Sequence, residues 1–266
     1  MARKPAKANR RHPLATVVLI AIGLAFTGGG YALFTSTATA KTDTASATDS
    51  ASSVAEGSKL FAANCATCHG MNLEGSTAGP SLLGVGAASV DFQVGTGRMP
   101  LAMQGPQAME KPPQFTAEQT QALADYVASL SPGPAIPTDD QLTTTGNATN
   151  GGELFRINCA MCHNVAGAGG ALTEGKFAPA LTDVDAKYIY EAMLTGPQNM
   201  PVFNDHNITP EDKRDIITYL KYLQNNPSPG GFELGNLGPV AEGLFIWIFG
   251  IGAVVALTVW LTAKSN

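Results

Sequence analysis

Asn64-Cys65-Ala66-Thr67-Cys68-His69-Gly70 and its second appearance, Asn158-Cys159-Ala160-Met161-Cys162-His163, decide how this chain is read. Cys-x-x-Cys-His is the attachment pattern of c-type haem. Two thiols form thioethers to the porphyrin vinyl groups, and the adjacent histidine is held under the iron as an axial ligand. A lone Cys-x-x-Cys also suits a zinc half-site or a thiol–disulfide pair. Here all four cysteines lie in the two motifs, and each motif is closed by a histidine. A zinc site would have to recruit both motifs to one metal, and a disulfide framework gives no reason for the histidines.

Working outward, the flanks repeat as well. Gly57 lies eight residues before Cys65 and Gly151 eight before Cys159; Phe61 and Phe155 each lie four before. Val54–Asn64 has helical spacing and runs into the first motif. Thr116–Leu130 opens on a capping box, Thr116 with Gln119, and carries Leu123, Tyr126, Val127 and Leu130 on one face. Thr209–Leu223 mirrors it, with Pro210 in the first helical turn and Asp212 at the acidic third position. An internal duplication accounts for these coincidences together. The stretches between are rich in Gly, Pro and Met, the composition of a chain that wraps a cofactor.

Composition agrees with small domains joined by linkers: 29 Gly and 17 Pro in 266 residues, with 14% charged. A haem offers a large apolar body, so a domain of roughly 80 residues can bury enough surface around one to be stable. Five basic residues (Arg3, Lys4, Lys7, Arg10, Arg11) precede the first apolar run, whereas Lys41–Val240 holds 10 basic against 20 acidic residues. An acidic middle argues against nucleic acid and fits a neutral or basic protein partner, or only a solvated face.

The domain reading follows. Residues 1–34 are a basic start and the uncharged run Leu14–Phe34, 21 residues and long enough to span a bilayer, with the Lys/Arg cluster on the cytoplasmic side. Ala38-Thr39-Ala40 is a small-x-small cleavage pattern, which keeps a removable signal peptide open beside the anchor. Residues 35–52 read as a flexible Ser/Thr/Ala tether, 53–131 as the first haem domain, 132–145 as a proline-bearing linker and 146–226 as the second domain. After a linker, 227–243, the apolar run Leu244–Leu261 carries Trp247 and Trp260 near its ends and is followed by a tail, 262–266, with Lys264. It reads as a transmembrane helix placed in membrane lipid.

The sixth ligand of each iron must come from between the helices. A thioether sulfur opposite histidine raises the potential and closes the iron. Among Met71, Met99, Met103 and Met109, Met99 in Gly97-Arg98-Met99-Pro100 is the best placed; in the second repeat Met200 has the same Met-Pro context. Met193 reads as core filling on a helix, and Met161 lies inside a motif. Outside the motifs the histidines are His12, on the cytoplasmic side, and His206, which reads as an exposed turn residue. The carbonyls of Pro80 and Pro179, which recur after each motif, are candidates to accept the proximal imidazole N–H, against the alternative of an ordinary loop turn.

Both repeats resemble class I cytochrome c domains, over roughly residues 53–131 and 146–226. The fold class this implies is mainly α, two tandem cytochrome c domains between N-terminal and C-terminal membrane helices. That arrangement resembles the dihaem cytochrome cc subunit of the actinobacterial menaquinol–cytochrome c reductase, the cytochrome bcc complex. The resemblance implies two covalent haem c groups held by Cys65, Cys68, Cys159 and Cys162, with His69, Met99, His163 and Met200 as axial ligands. It also implies cytochrome b and Rieske iron–sulfur partners, electron transfer from the Rieske centre to an aa-type terminal oxidase, and haem domains on the extracytoplasmic side of the cell membrane. On that reading the chain is the electron-transfer subunit of an oxidoreductase, without substrate turnover of its own. Two rivals stand beside it. A cbb-type oxidase subunit has a comparable haem pair but normally no C-terminal anchor. A dihaem peroxidase would need an open axial site, against which two Met-Pro loops speak.

Overall fold

A computed structural model describes residues 18, 21–23, 47–226 and 239–264. Val18 and Ala21–Gly23 are helical. The cleavage pattern and most of the Leu14–Phe34 run lie outside the described residues.

In the first repeat α1 (Ala47–Asn64) leads into a single turn, α2 (Ala66–His69); α3 (Gly86–Gly95) and α4 (Ala117–Leu130) follow. Phe61, Leu73, Val94, Leu123 and Val127 form its core, with Leu60, Leu82, Met99 and Tyr126 packed around them. The helical faces explain this: Leu123 and Val127 are one turn apart on α4 and meet Phe61 across the α1–α4 crossing. The capping box at Thr116 is made, Gln119 N–H donating to Thr116 Oγ1 (3.2 Å) and Thr116 N–H to Gln119 Oε1 (3.0 Å). Gly57 lets α1 cross α4 at backbone distance, because a Cβ there would overlap the Ala122 carbonyl and sit 2.8 Å from Tyr126 Cβ.

The second repeat has α5 (Asp139–Leu142), α6 (Ala148–Asn158), the single turn α7 (Ala160–His163), a ribbon of β1 (Gly170–Ala171) and β2 (Phe177–Ala178), α8 (Ala186–Thr195) and α9 (Pro210–Asn225). β1 and β2 pair antiparallel, Gly170 with Ala178 and Ala171 with Phe177. Phe155, Ile189, Tyr190, Met193, Ile208, Ile216, Ile217 and Leu220 form the core. Asn147 caps α6 by accepting from Thr149 and Asn150 N–H. Thr209 caps α9 by accepting from Asp212 N–H, with Pro210 in the first turn as the sequence predicts. Gly151 repeats the crossing seen at Gly57, against the Asp215 carbonyl and Ile216 N. Lys213 is fully buried, and its ammonium is met by Asp205 (2.7 Å) and the Ile208 carbonyl (2.8 Å), the pairing that a buried charge requires.

Three stretches differ from their sequence reading. The end of the tether, from Ala47, is already helix α1; its Ala and Ser residues permit the helix to extend, and Ser53 Oγ ties it to Asp125 (2.6 Å). Between the first motif and Met99 the chain contains α3, where the Gly-, Pro- and Met-rich composition predicts only a wrapping loop. The linker 132–145 is held at both ends. Pro134 O accepts from Ala88 N–H (3.0 Å), while Gln141 on α5 donates to the Tyr190 hydroxyl (2.8 Å).

The two repeats share a seam. Asp91 on α3 pairs with Lys187 on α8 at 2.6 Å, and Phe92 meets Tyr188 edge to face, with centroids 6.2 Å apart. Glu191 of α8 is buried against the same Asp91. Two glutamines clamp the seam reciprocally. Gln107 donates to Phe177 O (2.9 Å) and accepts from Phe177 N–H (2.8 Å). Gln198 donates to Ala108 O (3.1 Å) and accepts from Ala108 N–H (3.0 Å).

Ala241–Ala263 is a 23-residue helix whose most apolar 18-residue stretch has a mean hydropathy of 2.4, with its side chains exposed. At 1.5 Å per residue it is about 34 Å long, which matches the hydrocarbon core of a bilayer. Ile246–Ile251 is π-helical, and the Lys264 ammonium lies 4.8 Å from the Trp260 ring. This is the apolar C-terminal helix that Leu244–Leu261 predicts.

Candidate haem-binding sites

Each motif is built by the helix that enters it. Cys65 N–H donates to Phe61 O and His69 N–H to Cys65 O; Cys159 donates to Phe155 O and His163 to Cys159 O. The buried phenylalanine therefore anchors the turn, and the histidine sits one turn beyond the first cysteine on the same side. Gly70 and Asn164, with φ of 77° and 66°, end the turn. The chain then folds back under it. Gly75 N–H reaches His69 O (2.7 Å), and Gly169 N–H reaches His163 O (2.9 Å). A side chain on Gly79 or Gly170 would lie within 3.0 Å of the carbonyl oxygen of Cys68 or Cys162.

Both imidazoles have the same orientation. His69 Nδ1 lies 2.7 Å from Pro80 O, and His163 Nδ1 lies 2.9 Å from Pro179 O. A carbonyl oxygen only accepts, so Nδ1 carries the proton and Nε2 keeps its lone pair, the form a metal ligand needs. The second repeat spends five more residues between histidine and proline, and its β1–β2 ribbon occupies that interval. Burial pulls the His163 pKa down, against the smaller upward effect of the Pro179 carbonyl.

Burial, with a smaller contribution from the neighbouring Cys68 and Cys162, pushes the Cys65 and Cys159 thiols up to about 11. Such thiols hold almost no thiolate at neutral pH, which disfavours the thiol–disulfide exchange reading. Among the described residues no group of three His, Cys, Asp or Glu converges as a metal cage, so the zinc reading finds no site there.

In the second repeat Cys159, Cys162, His163 and Met200 line one cavity of about 630 Å³, together with Phe155, Phe203, Ile216 and Leu220. That volume and apolar lining are those of a cofactor pocket. Met193 also borders it but is only 2% exposed and belongs to the core; Met200 is half-buried beside it. In the first repeat Met99 and Cys65 pack on the same core cluster, whereas Met71, Met103 and Met109 are exposed, as are Met161 and His206. Lys111 holds the Met99 loop, its ammonium donating to Gly97 O and to Pro100 O (2.7 Å).

Residues from the first repeat that the sequence did not single out also line the second cavity: Arg98, Gln107, Glu110 and Lys111. Gln107 is 70 residues from its partner Phe177. Nothing in the local pattern of either segment signals that pairing.

Comparison with known proteins adds the family context. Residues 54–131 match the cytochrome c family model, and residues 146–220 match that of cytochrome c oxidase, cbb3-type, subunit III. The chain is similar to the cytochrome bc1 complex cytochrome c subunit of Corynebacterium efficiens, 43% identical over 97% of this chain and 92% of that protein. The subunit of the same name from Corynebacterium diphtheriae is 40% identical over 98% and 99%, and that of Mycobacterium tuberculosis 43% over 96% and 92%.

Proposed function

On the premise that this chain belongs to the family of cytochrome bc1 complex cytochrome c subunits, we propose that it is a membrane-anchored dihaem electron carrier. It would take electrons from a Rieske centre in a menaquinol-oxidising complex with cytochrome b and pass them to an aa-type terminal oxidase. As a cytochrome c subunit it is a haem-bearing component of a membrane-bound respiratory oxidoreductase. The observation that carries the dihaem reading is the recurrence, in both repeats, of one construction: motif turn, proline carbonyl on histidine Nδ1, and a half-buried methionine beside the first cysteine's core cluster.

Haem c, when bound, supplies reversible one-electron chemistry. The chain's residues do the rest. Cys65, Cys68, Cys159 and Cys162 would hold the porphyrins covalently, which fixes them without reliance on affinity. The Pro80 and Pro179 carbonyls orient His69 and His163 and increase their donor strength. Met99 and Met200 would close the distal positions, which keeps small ligands off the metal and suits transfer over catalysis. Phe155, Phe203 and Leu220 give the second cavity the apolar lining that would surround the porphyrin.

In topology, the basic N-terminus and Lys264 would lie in the cytoplasm and both repeats outside, with two membrane crossings. The match of residues 146–220 to an oxidase subunit model favours a second reading, a cbb-type oxidase subunit. Relatives that align over almost the whole chain carry the bc1 name, which favours the first. Haem quantitation decides the dihaem part: two covalent haems per chain are expected, one in a Cys159→Ser/Cys162→Ser variant. Two haems remaining in that variant would overturn it.

A further inference from the structure

The second cavity is not closed by the second repeat alone. Its wall includes Phe92, Arg98 and the strap Gln107–Pro113, all from the first repeat, and the glutamine clamps pin that strap to Phe177 and, through Ala108, to Gln198. Arg98 is the unusual member. It is 8% exposed, and its guanidinium lies 4.9 Å from the centroid of the Phe92 ring. Its one carboxylate partner among the described residues is Glu110, at 3.4 Å and largely exposed. A strong charge-assisted contact is about 2.7–2.9 Å long, so this pair compensates a buried cation poorly. The other cations on the wall are not in the same position: the Lys111 ammonium is committed to two carbonyl oxygens, and Lys176 is less buried and paired with Glu174 of its own repeat at 3.5 Å.

We propose that the haem site of the second repeat is composite, and that Arg98 of the first repeat is the cation that receives the porphyrin's carboxylate side chains there. This rests on the reading that the second cavity holds a covalent haem. The chemistry is matched: a planar guanidinium presents paired N–H donors to a carboxylate, and Phe92 fixes its plane. Apolar cavity walls leave an anionic porphyrin edge in need of a positive partner. Arg98 immediately precedes Met99, so the loop offered as ligand to the first iron is also a wall of the second site. Arg98 is thus a haem-binding residue that fixes a charge at the second haem and couples its environment to the first repeat.

The test uses the full chain in its membrane complex, as Arg98→Gln, Arg98→Lys and Glu110→Gln variants, with potentiometric titration of the two c-type components and resonance Raman of the propionate bending modes. The component that loses its thioether–iron band in a Met200→Ala variant is assigned as the second. Removal of a cation favours the ferric state, so Arg98→Gln should lower the midpoint potential of that component and shift its propionate band. Arg98→Lys should recover most of the potential, and Glu110→Gln should raise it. A second component unmoved in both Arg98→Gln and Glu110→Gln, or a shift confined to the first, overturns the proposal. If Arg98→Gln yields no stable chain, Glu110→Gln decides alone, because an unchanged potential there overturns it. Failure of the haem reading shows separately, as two haems retained in Cys159→Ser/Cys162→Ser.

Discussion

Replacing Gly151 by alanine tests the reason that a glycine recurs eight residues before each haem motif. At Gly151 helix α6 crosses α9, and an added Cβ would overlap the Asp215 carbonyl oxygen and lie 2.8 Å from Ile216 N. Both are backbone atoms of a capped helix and cannot rotate away. The helices must part by about 1 Å at the crossing, an overpacking that costs about 1–3 kcal/mol. Alanine's better helix propensity returns up to about 1 kcal/mol. A net loss of up to about 2 kcal/mol remains, toward the upper end because the overlap is with backbone, and the displacement is passed to Phe155, one turn along α6 and the anchor of the Cys159 turn. For a domain of this size it corresponds to a fall in Tm of about 4–8 °C per kcal/mol. Thermal unfolding of the detergent-solubilised chain, followed in the haem absorption, measures it. Gly152→Ala is the control, since its Cβ would meet side-chain atoms and no backbone, the edge of the Tyr219 ring at 3.1 Å and Arg156 Nη1 at 3.4 Å. Gly57→Ala should repeat the effect in the first repeat. An unchanged or raised Tm in Gly151→Ala would refute the close-crossing argument.

Other outcomes follow from the same geometry. Met200→Ala should abolish the thioether–iron band of one c-type component and lower its potential, and Met99→Ala should do so for the other. Met193→Ala should leave both bands and cost about 2–5 kcal/mol of stability, the range for truncating a buried methionine; a band lost with Met193 instead would reverse the ligand assignment. Burial, then the neighbouring Asp91, raise Glu191 to about 9, with Lys187 opposing. Between its ordinary value and about pH 9 the folded chain holds a proton that the unfolded chain has released. Stability should therefore fall as pH rises through that window, by about 1.4 kcal/mol per pH unit. Urea midpoints at pH 6 and pH 8 should separate in the parent chain and nearly coincide in Glu191→Gln, and equal slopes in both would refute the assignment.

Where the sequence was informative, the signal was local. The motif spacing places histidine one turn from cysteine on any helical turn, and Thr116 with Gln119 specifies a cap by itself. The Met-Pro context separates Met200 from Met193 because it marks a loop, and the structure places Met193 in the core. Helix α3 escaped because Gly86-Ala-Ala-Ser-Val-Asp-Phe-Gln-Val-Gly95 begins and ends in glycine and has no clean apolar stripe; it is held by packing on α4 and α8. The Arg98 and Gln107 contributions to the second cavity escaped for a different reason. Gln107 reaches the backbone of Phe177 across 70 residues, and Arg98 lines a cavity whose other walls come from the second repeat, and no periodicity records either. The paired glycines stood out as a repeat before the helix crossing gave them a cause.

The most direct test of the central claim is purification of the complex from native membranes through a tag on this chain, with haem-stained gels, optical spectra and menaquinol-driven oxygen uptake of whatever accompanies it. The account predicts b- and a-type haem bands beside a c-type signal of two haems per chain, with oxygen consumed on addition of menaquinol. A chain that emerges alone, or with an oxidase that lacks a quinol-oxidising partner, would contradict it.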